Sequence, residues 1–263
     1  MMGVRLSTIR PYKPVLTEKN LANQAGKVRS SSVTHLGIFV NIAQVFIVTG
    51  ASGGLGYELT KILYQHDAKV YLAARSQSKT ADVIQKIKEA HPNSKGDLVF
   101  LRLELDDLTT IKKSAEEFLA KESRLDVLWL NAGVMVPPQG SKTKQGYELQ
   151  LGINNLGHYL FATLLQDLLV STAKTAPKAS VRVIWVSSSA ADAAPKPAID
   201  FDNMDYHREE GIWMKYGRSK AGNVIHSAEF VRQTEGTGII SLVRVMLLRL
   251  ARVLHNEVLT TSR

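Results

Sequence analysis

The chain has 263 residues, 44% hydrophobic and 22% charged, with a formal net charge of +9 and no cysteine. These totals suit one large or two small soluble domains with a sizeable core, and they exclude disulfides, a thiolate metal site and a cysteine nucleophile. No apolar run reaches the ~18 residues of a bilayer span, and the basic residues are dispersed rather than run together, which argues against a nucleic-acid partner.

Residues 1–26 are polar and contain Pro11 and Pro14, so they read as an extended lead-in. From about residue 43 a rhythm sets in. QVFIVTG (44–50) is a short β-rich run, GLGYELTKILYQHD (54–67) has helical spacing, and AKVYLAA (68–74) is a second strand. A helix is expected over 81–91, stopping at Pro92, then a strand over 97–105 and a helix over 109–123. A strand over 125–133 ends in glycine, and a long helix covers 146–170. The last elements are a strand over 180–189, a helix over 213–233 and a strand beginning at 238–242. Strands alternating with helices of this length predict βαβ units, hence a Rossmann-type, doubly wound parallel sheet in three α/β/α layers.

TGASGGLG (49–56) lies between the first strand and the first helix. A helix N-terminus offers unpaired N–H groups and partial positive charge, a seat for phosphate. Gly50 permits a tight turn, Gly54 a close approach of the ligand and Gly56 close helix packing; Ser52 and Leu55 complete the loop. A ribose-reading residue belongs at the end of the second strand, and here it is Arg75, not an acid. A guanidinium pairs with a 2′-phosphate, so NADP(H) is favoured over NAD(H).

YGRSK (216–220) puts Tyr216 and Lys220 four residues apart, on one helical face. A nearby ammonium favours the phenolate and lowers the phenol pKa from ~10, tuning it for proton exchange with a carbonyl or alcohol. A second match to this spacing, Tyr57 with Lys61, lies on the first helix and reads as packing and surface. The fifth strand ends in VSSS (186–189), and the long helix carries Asn154. His158 and His66 have no partner at zinc-like spacing and read as structural, so no metal is expected.

TGASGGLG, LNAG (130–133), GINNLGH (152–158), RVIWVSSSA (182–190) and YGRSK stand in one order along the chain. Together they resemble the short-chain dehydrogenase/reductases, and within them the retinol-dehydrogenase-like, WW-domain-oxidoreductase-like branch common in fungi. The resemblance runs from about 45 to 242, with a further match at KPVLTEKN (13–20). It implies that Tyr216 is the general acid/base, that Lys220 lowers its pKa and binds the nicotinamide ribose, and that Ser188 orients the substrate, with Ser187 as the fallback. It implies that Asn154 continues a proton relay through water, and that Asn131, Ala132 and Gly133 border the adenosine. The family's double asparagine is Leu130-Asn131 here, and its L-D-L is Leu103-Glu104-Leu105, making Glu104 the expected adenine-contacting acid beside Leu105.

Two stretches depart from the pattern. Residues 28–44 lie between Gly26-Lys27 and VFIVTG, where the branch passes directly from one to the other, and they have no obvious partner in the sequence. Residues 243–263, VRVMLLRLARVLHNEVLTTSR, stand where the family continues with a loop over the nicotinamide, a helix and a strand. Both open with Val-Arg, whose codons can resemble an intron donor site, and Gln44 matches an acceptor. Translated introns or gene-model errors are one expectation. A natural N-terminal arm and a basic amphipathic C-terminal helix on a membrane are the other. The expected organisation is therefore an arm (1–44), an NADP-binding domain carrying the catalytic residues (45–242) and an atypical tail (243–263), with the last strand and helix missing. The function expected is NADP(H)-dependent hydride transfer to or from a small carbonyl or alcohol substrate, in the cytoplasm, with homodimerisation a family expectation. The alternative is nucleotide binding without turnover.

Overall fold

The computed structural model describes residues 28–29, 41–42 and 44–246. The lead-in over 1–26, residue 27, most of the 28–44 stretch and the 247–263 part of the tail lie outside the described residues. Two short strands, β1 (Val28–Arg29) and β2 (Asn41–Ile42), pair antiparallel, Val28 opposite Ile42. The two ends of the 28–44 stretch thus partner each other.

The main body begins with β3 (Val45–Thr49), α1 (Gly54–Gln65), β4 (Lys69–Ala74), α2 (Gln77–Ala90), β5 (Asp97–Arg102) and α3 (Leu108–Leu119). It continues with β6 (Val127–Leu130), a short turn α4 (Leu149–Leu151), a π-helical turn (Gly152–Gly157), α5 (His158–Leu164) and α6 (Gln166–Thr175). The last elements are β7 (Arg182–Ser188), α7 (Ile212–Gln233) and β8 (Ile240–Met246). Strands β3 to β8 form one parallel sheet in the order β5-β4-β3-β6-β7-β8. The doubly wound Rossmann-type fold is therefore as the alternating pattern predicts.

The central strands β3 and β6 are almost wholly apolar because both sheet faces are covered. Successive residues of β3 alternate between two cores. Val45 and Ile47 join Tyr71, Leu128, Trp185, Phe118, Phe161 and Phe230 beneath α3, α5, α6 and α7. Phe46 and Val48 join Val70, Leu72, Ile184, Leu63 and Ile87 beneath α1 and α2. Beyond α1 this second face opens into a groove of about 440 Å³ lined by Phe46, Leu59, Ile62, Trp129 and Ile184 among others.

Several boundaries differ from the sequence reading. Helix α2 starts at Gln77, four residues before the expected 81, because the Ser76 hydroxyl caps it by accepting from Lys79 N. The expected helix over 146–170 is divided: Gly146 adopts a positive φ of 84° in a turn, a π-turn covers 152–157, and Leu165 separates α5 from α6. Strand β8 runs past 242, with Val243 opposite Trp185 and Met246 opposite Ser188. The first four residues of the expected tail are thus strand, and Trp185 Nε1 donates to Ser241 Oγ at 3.0 Å across the same pair. No helix among the described residues is long and apolar enough to cross a membrane.

Candidate active site

The strand order reverses between β3 and β6, and a ligand crevice belongs beyond the carboxyl ends of the strands at such a switch point. A cleft of about 340 Å³ lies there. Its floor is the glycine turn: Gly50, Ser52, Gly53 and Leu55 line it, with Ala73, Ala74 and Arg75 from the end of β4. Gly50 has φ +69°, and a β-carbon there would stand 2.9 Å from the Ala132 α-carbon, so only glycine serves. Gly56 is buried in the first turn of α1, against the Gly50 carbonyl. Gly54, also of positive φ, and Gly56 shape the turn without lining the cleft. Gly53 does line it, as the residue that caps α1; the sequence reading passed over it within the same motif.

The opposite wall comes from Leu103, Leu105, Asp106, Asn131, Ala132, Gly133, Val134 and Ile153. Glu104 is absent from that lining: its carboxylate is taken up by Arg102, through Nε at 3.0 Å and a second contact from the guanidinium. The alternation along a strand end sends Leu103 and Leu105 one way and Glu104 the other. The acid that does line the cleft is Asp106, which nothing in the sequence reading singled out. Arg75 is exposed at the cleft and has no hydrogen bond or ion pair among the described residues.

Thr49 organises the Asn131-Ala132 corner. Its hydroxyl oxygen accepts from Asn131 N at 2.8 Å and Ala132 N at 2.9 Å, while Asn131 Nδ2 donates to the Thr49 carbonyl at 2.9 Å. With both lone pairs occupied, the Thr49 proton goes to His158 Nε2, 3.0 Å away. His158 is then a neutral Nδ1–H tautomer whose free proton faces the Asn154 carbonyl at 3.4 Å. Complete burial drives its pKa down to about 3, with the Lys220 charge adding to the effect, which fits that neutral state. The histidine is a structural pin, as the sequence reading has it.

Asn154 sits fully buried in the π-turn. Its Oδ1 accepts from Val134 N at 2.9 Å, and its Nδ2 donates to Val134 O at 3.0 Å and Ser219 Oγ at 2.9 Å. Both amide protons are therefore committed to holding the segment after Gly133 against α7. A relay through Asn154 is left with its backbone carbonyl.

Tyr216, Lys220 and Ser188 are brought together, all nearly buried. The Ser188 hydroxyl accepts from Ala190 N at 3.2 Å and lies close enough to the Tyr216 phenol to pull its pKa down. Ser187 points elsewhere, donating to the Lys220 carbonyl at 2.7 Å, so the geometry favours Ser188 over the fallback. Lys220 Nζ donates to Val186 O at 3.1 Å, lies 5.7 Å from the Tyr216 ring centroid, and reaches the cleft wall at Gly133, 3.5 Å from where a β-carbon would be. Burial lowers the Lys220 pKa to about 8. The same burial raises that of Tyr216, with only the Ser188 hydrogen bond pulling it back. The expectation that Lys220 depresses the phenol is thus not met as the groups stand: burial raises the Tyr216 pKa, and Lys220 donates to the Val186 carbonyl instead. At neutral pH Tyr216 holds its proton and can give it to an oxygen.

The loop before α7 is anchored to that helix. Arg218 makes a double hydrogen-bonded ion pair with Glu210, Nε and one terminal nitrogen each at 2.7 Å, and its other nitrogen donates to Pro197 O at 2.6 Å and Ala198 O at 3.2 Å. Asp200 accepts from Arg208 at 2.9 Å, and Asn203 exchanges two hydrogen bonds of 2.8 Å with the Arg208 backbone. This clamp was not legible in the sequence, where Arg218 is one of the three unspecified positions between Tyr216 and Lys220.

Comparison with known proteins agrees with this geometry. A short chain dehydrogenase family profile matches residues 44–198. A short-chain dehydrogenase/reductase from Emericella nidulans, pkfC, is 55% identical over 231 residues, covering 87% of this chain and 69% of that protein. One from Phomopsis amygdali is 48% identical over 221 residues, covering 83% and 65%. The chain thus spans about two thirds of the length of these relatives. Among solved structures, Pseudomonas aeruginosa RhlG in an NADP active-site complex matches with a TM-score of 0.61 and 24% identity over 81% of this chain and 77% of that one, a likeness of fold. A glycine turn at the switch point of a doubly wound sheet, a buried Ser-Tyr-Lys group beside it and fungal relatives of this identity lead to one assignment: the chain belongs to the short-chain dehydrogenase/reductase family.

Proposed function

We infer that the chain is an NADP(H)-dependent oxidoreductase that interconverts a carbonyl and an alcohol. The observation that carries the reading is the contact of the Ser188 hydroxyl with the Tyr216 phenol, both buried, with Lys220 between that phenol and the cleft wall at Gly133. The cleft residues fit the cofactor: the α1 N-terminus offers free N–H groups to a pyrophosphate, and the unpartnered Arg75 with Ser52 suits a 2′-phosphate. Asn131, Ala132 and Gly133 would border the adenosine, and Lys220 has donors to spare for the nicotinamide ribose. When bound, the reduced nicotinamide supplies the hydride.

The chain's own residues do the rest. A substrate carbonyl oxygen accepts from Ser188 and Tyr216, which fixes its orientation. As that oxygen gains negative charge, Tyr216 gives up its proton to it. The Lys220 ammonium, 5.7 Å from the Tyr216 ring centroid, is a donor from which the phenolate left behind is reloaded. The Asn154 carbonyl is the chain's next acceptor on the route to water. We place the chain in the retinol-dehydrogenase-like branch on its GINNLGH and TGASGGLG motifs.

The test is calorimetric titration of the purified chain with NADPH and NADH, followed by reduction of a ketone panel by the parent and by Tyr216→Phe. The reading expects clear NADPH preference, and turnover that falls at least a hundredfold in Tyr216→Phe with cofactor binding retained. Cofactor binding without carbonyl turnover, unresponsive to Tyr216→Phe, would make the protein a nucleotide binder instead. No binding of either cofactor would sink both.

A further inference from the structure

Trp213 stands on the same face of α7 as Tyr216 and Lys220, three and seven residues before them. It is 58% exposed, yet it is held in place. Its ring meets the Tyr216 ring edge-on, with centroids 6.4 Å apart and planes at 87°, a favoured aromatic geometry. The backbone around it is pinned: Ile212 O accepts from Gln150 Nε2 at 3.2 Å, and Met214 N donates to Gly211 O at 2.9 Å. Lys215, 3% exposed, is ion-paired with Glu209 at 2.8 Å. A large, rigid apolar surface is therefore offered to solvent next to the proton-donating phenol. Met214 is also exposed beside it, as is Met135 in the segment that Asn154 ties down through Val134. Gln139 bridges these two loops by contacting Glu209 and the Glu210 carbonyl. Lys215 is neutralised by Glu209 and Arg218 by Glu210, while Lys220 donates to the Val186 carbonyl.

Resting on the oxidoreductase reading above, we propose that the substrate carries a flat apolar ring system on its carbonyl or carbinol carbon, and that Trp213 selects it. A carbonyl oxygen held by Ser188 and Tyr216 places the carbon's substituents beside the Tyr216 ring, where the indole covers one side. An aromatic or fused-ring substituent buries the indole surface that a small alkyl group leaves wet.

The test uses the full chain loaded with NADP⁺, which has no hydride to give, so ketone binding is read without reaction. 2-Butanone, acetophenone and 2-acetylnaphthalene are titrated by calorimetry into the parent, Trp213→Ala and Trp213→Phe. The expected order of affinity rises with ring size. Trp213→Ala weakens 2-acetylnaphthalene about tenfold, Trp213→Phe restores part of the loss, and NADP⁺ affinity and the thermal midpoint stay close to the parent's. A parent that binds NADP⁺ but shows no gain with ring size, or a Trp213→Ala variant with unchanged naphthyl ketone affinity, overturns the assignment while the cofactor reading stands. A Trp213→Ala variant whose one change is in self-association makes this residue part of an interface and also overturns it. A chain that binds no NADP⁺ overturns the oxidoreductase reading, and this inference falls with it.

Discussion

Arg218→Met should cost about 3 kcal/mol of folding stability, and the estimate follows from what the guanidinium touches. Its side chain is 9% exposed and that of its partner Glu210 is 14% exposed. Removing one member of a mostly buried ion pair costs ~3–5 kcal/mol, because the other charge stays behind without a counterion. The Pro197 and Ala198 carbonyls also lose their donor, at about 1 kcal/mol each. The loop lies near the surface, so water can enter and return part of both losses, which brings a sum of about 5–7 kcal/mol down to about 3 kcal/mol. Methionine keeps the apolar stem, so packing loss is small. Urea unfolding monitored by circular dichroism gives the difference, provided the slope with denaturant is unchanged. Adding Glu210→Gln to Arg218→Met should recover about half the loss, since the stranded carboxylate is then gone. A single-variant loss below about 1 kcal/mol, or a double variant no better than the single, would refute the clamp.

Lys220 gives a pH prediction whose sign is set by its depressed pKa of about 8. The unfolded chain binds the extra proton between pH 8 and the ordinary lysine value, so the parent should gain up to about 3 kcal/mol relative to Lys220→Met as pH rises from 8 to 10.5; a pH-independent difference would contradict the burial argument. His226 is stacked on Tyr159 at 4.7 Å, and burial holds its pKa at about 4. The parent should therefore lose up to about 3 kcal/mol relative to His226→Phe as pH falls from 6.5 to 4, read by denaturant titrations at each pH, and parallel curves would count against it. Gly50→Ala, which forces a β-carbon to within 2.9 Å of Ala132 at a φ of +69°, should lower the thermal midpoint and weaken NADPH binding together; an unaffected isotherm would mean that the turn does not seat the cofactor.

The fold was legible because periodicity carries it. Val45 to Val48 are all apolar in a strand buried on both faces, and α1 and α7 repeat at helical spacing. The start of α2 was not legible, since Gln77 to Thr80 show no apolar period and the serine cap alone marks the helix. The break in the helix over 146–170 was hidden for the opposite reason: its apolar pattern continues through Gly152 to Leu165 while the backbone changes class. At the site, Ser188, Tyr216 and Lys220 could be named because motif residues keep their spacing. The exchange of Glu104 for Asp106 in the cleft lining could not, because it turns on Arg102 capturing one carboxylate. Nor could the saturation of the Asn154 amide or the Arg218 clamp, since each joins segments far apart in the chain.

The strand order leaves β5 and β8 as the two margins of the sheet among the described residues. Because all its strands are parallel, these margins are not equivalent in how they could multiply. Two copies meeting β8 to β8 would be related by a twofold axis and would stop at a pair. A copy adding its β8 to another's β5 would repeat the same step without end and build a fibre. Asp97 and Arg102, exposed at the two ends of β5, and Arg244, exposed on β8, put charge on that second route, so the sequence discourages the open-ended assembly.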